Sequence, residues 1–148
     1  MPVPRSRAAA MPAHAGRWDE MDALAERAWE AFGGIDLLVA NAGMGPAVPS
    51  HEVSESLFDS VLGLNFKGPF RLTALVGEWM VADGGGSIIN ISSIAGLVAA
   101  PGMGAYNATK AGVWMYTKTL ALEAAKADWN VRCNSVHPVF IRTPILDP

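Results

Sequence analysis

The chain has 148 residues, of which 51% are hydrophobic and 17% charged, so it can form one domain with a buried core and is too apolar for a disordered chain. Its formal net charge of −3 disfavours a nucleic-acid-binding protein, for which a basic surface is expected. No apolar run approaches the roughly 20 residues that cross a bilayer, so we expect neither a membrane nor a nucleic-acid partner.

The N-terminal part of the chain predicts a lead followed by a helix and a strand. Residues 1–17 are rich in proline, which predicts a disordered lead, and the folded domain is expected over 18–148. Apolar residues recur at helical spacing over 18–32, and two glycines follow, which predicts a helix that ends there. The apolar run 35–40 then predicts a buried strand.

A long helical run follows over residues 54–80. Ser54 is a suitable N-cap for it. Three residues that disfavour a straight helix lie inside the run and predict a kink just past Asn65: Gly63, Gly68 and Pro69.

The remaining elements complete an alternating order. We expect a strand over 87–91, a loop over 92–104, a helix over 105–127 and a strand over 130–136. The order α-β-α-β-α-β predicts a parallel sheet in an α/β fold. If the three strands are neighbours in chain order, right-handed crossovers place their connecting helices on one face and leave the other face uncovered.

Cysteine and histidine content bears on the compartment and on metal binding. The single cysteine, Cys133, lies in an apolar run and cannot form an intramolecular disulfide, so we expect a buried free thiol in a reducing compartment, the cytoplasm. The three histidines are far apart in the sequence and lack metal-ligand spacing, so we expect no metal site.

Small, amide and hydroxyl residues follow each predicted strand. In an open parallel sheet, ligands bind beyond the carboxyl ends of the strands. The residues expected at this edge are Asn41, Ala42 and Gly43 after the first strand, Ser92 and Ser93 after the second, Pro138 to Thr143 after the third, and Tyr106 and Lys110 at the start of the last helix. A purely structural domain does not require this convergence.

This pattern resembles the classical short-chain dehydrogenase/reductases. The resemblance rests on Asn-Ala-Gly at 41–43, Asn65, Ser93, Tyr106-x-x-x-Lys110 and Pro138-x-x-x-x-Thr143, and it covers about 18–144. It implies a partial Rossmann-like, doubly wound parallel sheet. It also implies an NAD(P)-dependent oxidoreductase that interconverts a secondary alcohol and a ketone. A sugar-nucleotide epimerase with the same Tyr and Lys pair is a third alternative, which the Asn65 and Ser93 spacing disfavours.

The chemistry of carbonyl reduction suggests roles for four residues. The substrate oxygen needs a proton donor, and we assign Tyr106 as the general acid/base. A phenol with a pKa of about 10 is a poor base at neutral pH, and a Lys110 ammonium on the same helix face would favour its ionised form. Ser93 would hydrogen-bond the substrate oxygen. The resemblance implies that Lys110 also holds the ribose hydroxyls and that Asn65 holds a water in a proton relay.

The cofactor residues follow in part from the resemblance. Gly43 lacks a side chain, so the 41–43 backbone could approach the ribose on the adenosine side of NAD or NADP. The segment that starts at Pro138 would meet the nicotinamide, and the resemblance assigns the Ile141 backbone and the Thr143 hydroxyl to its carboxamide. Val139 stands where the family usually has glycine, so its β-branched side chain could crowd this site.

Two features of the family are missing. No Gly-rich strand-turn-helix precedes Trp18, and no lid or last strand follows Pro148, so we expect the truncated middle of such an enzyme. Exposed sheet edges and an uncovered face then predict a weakly stable chain that forms homo-oligomers through helices 54–80 and 105–127, or aggregates. The alternative function is a non-catalytic remnant that acts as an oligomerisation or interaction module.

Overall fold

The structure is a computed structural model, and it describes residues 8–141. Helices and three strands alternate along the chain as the sequence predicts. The elements are α1 Trp18–Phe32, β1 Leu37–Ala40, α2 Glu55–Leu62, α3 Gly68–Ala82, β2 Gly86–Ile91, α4 Gly104–Lys126 and β3 Val131–Val136, with short 3-10 helices at Ser50–Glu52 and Ile94–Gly96 and a π-helical segment at Gly63–Lys67.

The three strands form one parallel sheet in the order β1-β2-β3. Val39 pairs with Ile89, and Ile89 pairs with Asn134 across the sheet. The predicted α/β fold with a parallel sheet is therefore confirmed. The first strand begins at Leu37, two residues later than the apolar run predicts, and Asp36 directly before it lies in a bend.

The core lies on the face of the sheet that the helices cover. Ile88 of β2 and Cys133 of β3 pack against Val76 and Met80 of α3, and Ala25 of α1 joins this cluster. The same arrangement confirms the predicted burial of the Cys133 thiol, which is free.

The opposite face of the sheet is open to solvent among residues 8–141 and carries several apolar side chains. Leu37 and Val39 of β1 and Val136 of β3 are each about half exposed there. This is the one-sided cover that right-handed crossovers predict for strands in consecutive order.

The run predicted as one kinked helix is divided by a π-helical segment. Ser54 caps α2 as predicted, because its side chain accepts a hydrogen bond from the Leu57 N–H at 3.2 Å. The interruption predicted near Asn65 coincides with a π-helical turn over Gly63–Lys67. Pro69 is tolerated because it lies in the first turn of α3.

The described part of the N-terminal lead contacts the helices. Between residues 8 and 17 the chain forms no helix or strand, yet the Pro12 carbonyl accepts a hydrogen bond from Arg27 at 3.0 Å. A Cβ on Gly68 would overlap the carbonyl of Ala15, so the lead lies directly on the start of α3. Residues 1–7 lie outside the described residues, and the predicted disorder of the whole lead stays a prediction.

Candidate active site

The candidate site lies at the carboxyl ends of the three strands, where the loops after the strands meet the start of α4. Four residues that the sequence analysis selects are buried or half-buried at this edge: Asn65, Ser93, Tyr106 and Lys110.

Asn65 is fully buried and connects two parts of the site. Its side-chain carbonyl accepts the Met44 N–H at 2.8 Å, and its amide nitrogen donates to the Met44 carbonyl at 2.8 Å. The same nitrogen donates to Thr109 Oγ1 at 3.2 Å. Asn65 therefore holds the loop after β1 against α4. The water-holding role that the family resemblance implies stays a prediction.

Lys110 is a buried cation with a backbone partner. The residue is 4% exposed, and Nζ donates to the Ile91 carbonyl at 2.8 Å. Burial lowers the pKa of Lys110 to about 8, because the charged form loses hydration. The Lys110 Nζ also lies 5.8 Å from the centroid of the Tyr106 ring, so the predicted pair is close in space.

Glycines allow the loop after β1 to approach this pair. A Cβ on Gly43 would lie 3.2 Å from Asn65 Oδ1 and 3.4 Å from Lys110 Nζ. A Cβ on Gly45 would lie 3.3 Å from the Tyr106 ring. A side chain at either position would force its neighbours to move. Of the other predicted residues in this loop, Asn41 and Ala42 are exposed.

Thr109 is a site residue that the sequence analysis missed. Its hydroxyl donates to the Tyr106 carbonyl at 2.8 Å and accepts from Asn65. It is 4% exposed, so this link is shielded from water. A threonine beside Lys110 in the first turns of a helix was the available signal, since hydroxyl side chains bond nearby carbonyls there.

Ser93 is in an extended conformation, directly before the short 3-10 helix that follows β2. Its Oγ accepts the Ala95 N–H at 3.1 Å and caps the short 3-10 helix Ile94–Gly96. The neighbouring Ser92 donates its hydroxyl to the Lys110 carbonyl at 2.8 Å and attaches the segment to α4.

The segment after β3 reaches the same edge and then becomes exposed. The Pro138 carbonyl accepts the Ile94 N–H at 3.0 Å, whereas Ile141 is largely exposed. Val139 does not adopt a glycine-only conformation, since Asp128 is the one non-glycine residue with positive φ in the range 8–141. Thr143 lies outside the described residues.

Neither a metal-ligating cluster nor a membrane-spanning helix is present within residues 8–141. No group of three or more His, Cys, Asp or Glu side chains in this range is arranged to hold a metal ion. None of the helices found there combines the length and the apolarity needed for a membrane span.

Comparison with known proteins identifies the family. The model of the family described as short chain dehydrogenase matches residues 3–148. The chain belongs to this family. The short-chain dehydrogenase resemblance proposed from the motifs is thereby confirmed.

The relatives of this short-chain dehydrogenase family member include a reductase and an alcohol dehydrogenase. It is 39% identical over 129 residues to the 3-oxoacyl-[acyl-carrier-protein] reductase FabG of Thermotoga maritima, covering 87% of this chain and 52% of the relative. It is 39% identical over 140 residues to the NADP-dependent (R)-specific alcohol dehydrogenase of Lentilactobacillus kefiri, covering 88% and 56%. The chain spans about half the length of these relatives.

Solved structures agree with the fold. A short chain dehydrogenase/reductase from Burkholderia phymatum in complex with NAD matches with a TM-score of 0.90 and 33% identity, over 93% of this chain and 49% of that chain. A putative short-chain alcohol dehydrogenase from Sinorhizobium meliloti matches with a TM-score of 0.89 and 33% identity, over 95% and 55%. The Rossmann-like arrangement expected of the three-stranded sheet is therefore confirmed.

Proposed function

We propose that this chain carries the proton-transfer site of an NAD(P)-dependent oxidoreductase that interconverts a secondary alcohol and a ketone. The observation that carries the proposal is the burial of Lys110 without an acidic partner. Ion pairs in the range 8–141 involve other residues, and Lys110 Nζ bonds a backbone carbonyl instead.

A buried lysine of this kind is unfavourable for the fold alone. Lysine is almost never fully buried unless it is paired, because desolvation of the ammonium is costly. The lowered pKa of Lys110, about 8, reflects that cost and still leaves the side chain largely charged at neutral pH. A cation held beside Tyr106 has a direct use in proton transfer, which a structural role does not supply.

The proposed roles follow the positions of the side chains. Tyr106 gives a proton to the substrate oxygen in reduction and takes it back in oxidation. Lys110 stabilises the ionised phenol from its position 5.8 Å from the ring centroid. Ser93 donates its hydroxyl proton to the substrate oxygen, and its own oxygen is held by the Ala95 N–H. Asn65 fixes the loop that faces Tyr106.

The site has features that fit a nicotinamide dinucleotide. A Cβ on Gly43 would lie 3.4 Å from Lys110 Nζ, so the glycine leaves the space beside Lys110 free of a side chain. Lys110 uses one of its three ammonium protons on Ile91, so others can bond ribose hydroxyls. The proposed cofactor-binding set is completed by Asn41, Ala42, Tyr106, Pro138, Ile141 and Thr143. When bound, the nicotinamide supplies or accepts the hydride.

The identity of the dinucleotide is a choice between NAD and NADP. One relative is named as NADP-dependent, and one similar structure is described in complex with NAD. A reducing compartment such as the cytoplasm suits the free thiol of Cys133.

The two tyrosines of the chain provide a matched test. Tyr106→Phe should lower ketone reduction by roughly 100-fold or more while dinucleotide affinity changes little, because the proton donor is lost and the binding surface remains. Tyr116→Phe on the same helix removes a hydroxyl that bonds the Phe70 carbonyl at 3.3 Å and should leave the rate unchanged. NADH and NADPH binding is followed by fluorescence, and turnover by nicotinamide absorbance. Failure of both dinucleotides to bind at millimolar concentration would overturn the proposal for this chain.

A second candidate function is a non-catalytic oligomerisation or interaction module. Large apolar side chains are exposed on the helices within residues 54–80 and 105–127: Phe58, Phe70, Met115 and Leu122. Exposed apolar clusters mark interaction surfaces, and a homo-oligomer through these helices would cover them. Light scattering after size exclusion should then give a multiple of the 15.6 kDa chain mass, and Leu122→Glu should lower it. A monomer in the unaltered protein would contradict this candidate.

A further inference from the structure

We infer that His137 is a positioning residue for Ser93, an assignment that rests on the proposed role of Ser93 at the substrate oxygen. The His137 ring stands between the last residues of β3 and the segment that follows β2. Its Nδ1 lies 3.1 Å from the Ser93 carbonyl oxygen, and its Nε2 lies 2.9 Å from Ser135 Oγ.

The partner of Nδ1 determines the tautomer of the ring. A backbone carbonyl can only accept a hydrogen bond, so Nδ1 carries a proton and donates it to Ser93. Nε2 of the neutral ring then accepts from the Ser135 hydroxyl, which can act as a donor. A hydroxyl can also accept, so both nitrogens keep a partner if the ring is protonated.

The backbone around Ser93 explains why a side chain is needed at this point. The Ser92 N–H donates to the Val136 carbonyl at 2.9 Å, and the Ile94 N–H donates to the Pro138 carbonyl at 3.0 Å. Both bonds have their donors on the segment after β2. A bond in the opposite direction would need an N–H after β3, and Pro138 has none. The His137 imidazole supplies that donor, and it acts on Ser93 between the two bonded residues.

The His137 ring is itself held by α4. Its centroid lies 6.0 Å from the Trp114 ring at an interplanar angle of 89°, which is an edge-to-face arrangement. Lys118 Nζ lies 3.5 Å from the centroid of the same Trp114 ring. His137 thus joins β3, α4 and the Ser93 segment.

The consequence concerns the direction of the Ser93 hydroxyl. The Ser93 carbonyl is bonded by His137, and Ser93 Oγ accepts the Ala95 N–H at 3.1 Å. With these two atoms fixed, the hydroxyl proton remains available as a donor. Small displacements of groups that contact a reacting atom have large effects on rate, so loss of the His137 bond should act on turnover more than on binding.

Three substitutions of His137 test this role. Asparagine places an N–H donor near the position of Nδ1, whereas glutamine places one near the position of Nε2, and alanine supplies neither. We expect H137N to retain turnover within about threefold of the unaltered protein, and H137Q and H137A to lose about tenfold in kcat with unchanged dinucleotide affinity. The Ala95 amide should exchange with solvent about tenfold faster in H137Q and H137A alone.

Other outcomes have distinct meanings. Equal losses in the asparagine, glutamine and alanine variants, or no loss in any of them, would overturn the positioning role. If the unaltered chain and Tyr106→Phe show the same lack of turnover, the proposed function fails. In that case the amide exchange of Ala95 and the nitrogen chemical shifts of the His137 ring still decide whether the Nδ1 proton holds Ser93.

Discussion

Replacement of Asn65 by leucine should destabilise the fold through the loop after β1. Leucine has the same number and branching of side-chain heavy atoms as asparagine, so the change removes hydrogen bonds without opening a cavity. Asn65 is 0% exposed and makes two bonds to Met44 and one to Thr109. After the substitution, the Met44 N–H and carbonyl lose their partners in a partly buried place, and Thr109 keeps its bond to Tyr106.

The magnitude follows from the number of bonds. A typical intramolecular hydrogen bond contributes about 1 kcal/mol net, and an unpaired buried partner adds to the loss. Three bonds with a partly hydrated Met44 give a loss of roughly 2–4 kcal/mol in the free energy of unfolding. That is a large part of the roughly 5–15 kcal/mol that stabilises a typical domain.

Urea denaturation followed by tryptophan fluorescence measures this loss. The signal sums the five tryptophans of the chain, of which Trp18 donates its indole N–H to the Lys67 carbonyl at 2.9 Å, at the end of the π-helical segment. With a slope of roughly 2 kcal/mol per molar urea, the midpoint should fall by about 1–2 M. Asn134→Leu, on the exposed part of β3, is the matched control and should change stability by less than about 0.5 kcal/mol. Equal midpoints for the two variants would refute our inference that Asn65 holds the loop after β1 against α4.

Three further predictions concern the helices, a buried cation and the thiol. Gly68→Ala should destabilise the fold by roughly 1–3 kcal/mol in thermal denaturation, because the new Cβ would overlap the Ala15 carbonyl. Gly77→Ala in the same helix is the control and should be neutral or stabilising by up to about 1 kcal/mol. Between pH 8 and 9, the free energy of unfolding should rise with pH, because Lys110 loses its proton in the folded chain and keeps it in the unfolded chain, where its pKa is 10.5. Urea titrations at several pH values measure this slope, and Lys110→Met should flatten it. Burial raises the pKa of Cys133 to about 11, so a thiol reagent should label it at least about 100-fold faster in urea than in native buffer.

Each of these has an outcome that contradicts its reasoning. Equal melting temperatures for the Gly68 and Gly77 variants would mean that the lead does not lie on α3. A flat stability profile over that pH range would mean that Lys110 is hydrated in the folded chain. Above pH 9 the comparison with Lys110→Met is essential, because the raised pKa of Cys133 lowers stability as pH rises. Fast labelling of Cys133 in native buffer would mean that β3 is open to solvent.

Local patterns were sufficient to predict the α-helices and strands of the fold. The helix over Trp18–Phe32 and the Ser54 cap agree with the predictions residue for residue, because apolar spacing and capping depend on neighbours within a few positions. The π-helical segment was not predicted, since glycine and proline indicate an interruption without specifying its hydrogen-bond pattern. Motif order also led to the family and to the residues proposed for the site.

The sequence by itself determined the elements, their parallel order and the edge of the sheet where Tyr106 and Lys110 meet the loops. Tertiary structure alone decided that Asn65 bonds Met44, 21 residues away, and that His137 bonds Ser93, 44 residues away. It also decided that Asn90 joins Thr73 of α3 to Thr117 of α4 within the core. These contacts depend on how packed elements face one another, and no local periodicity encodes that geometry.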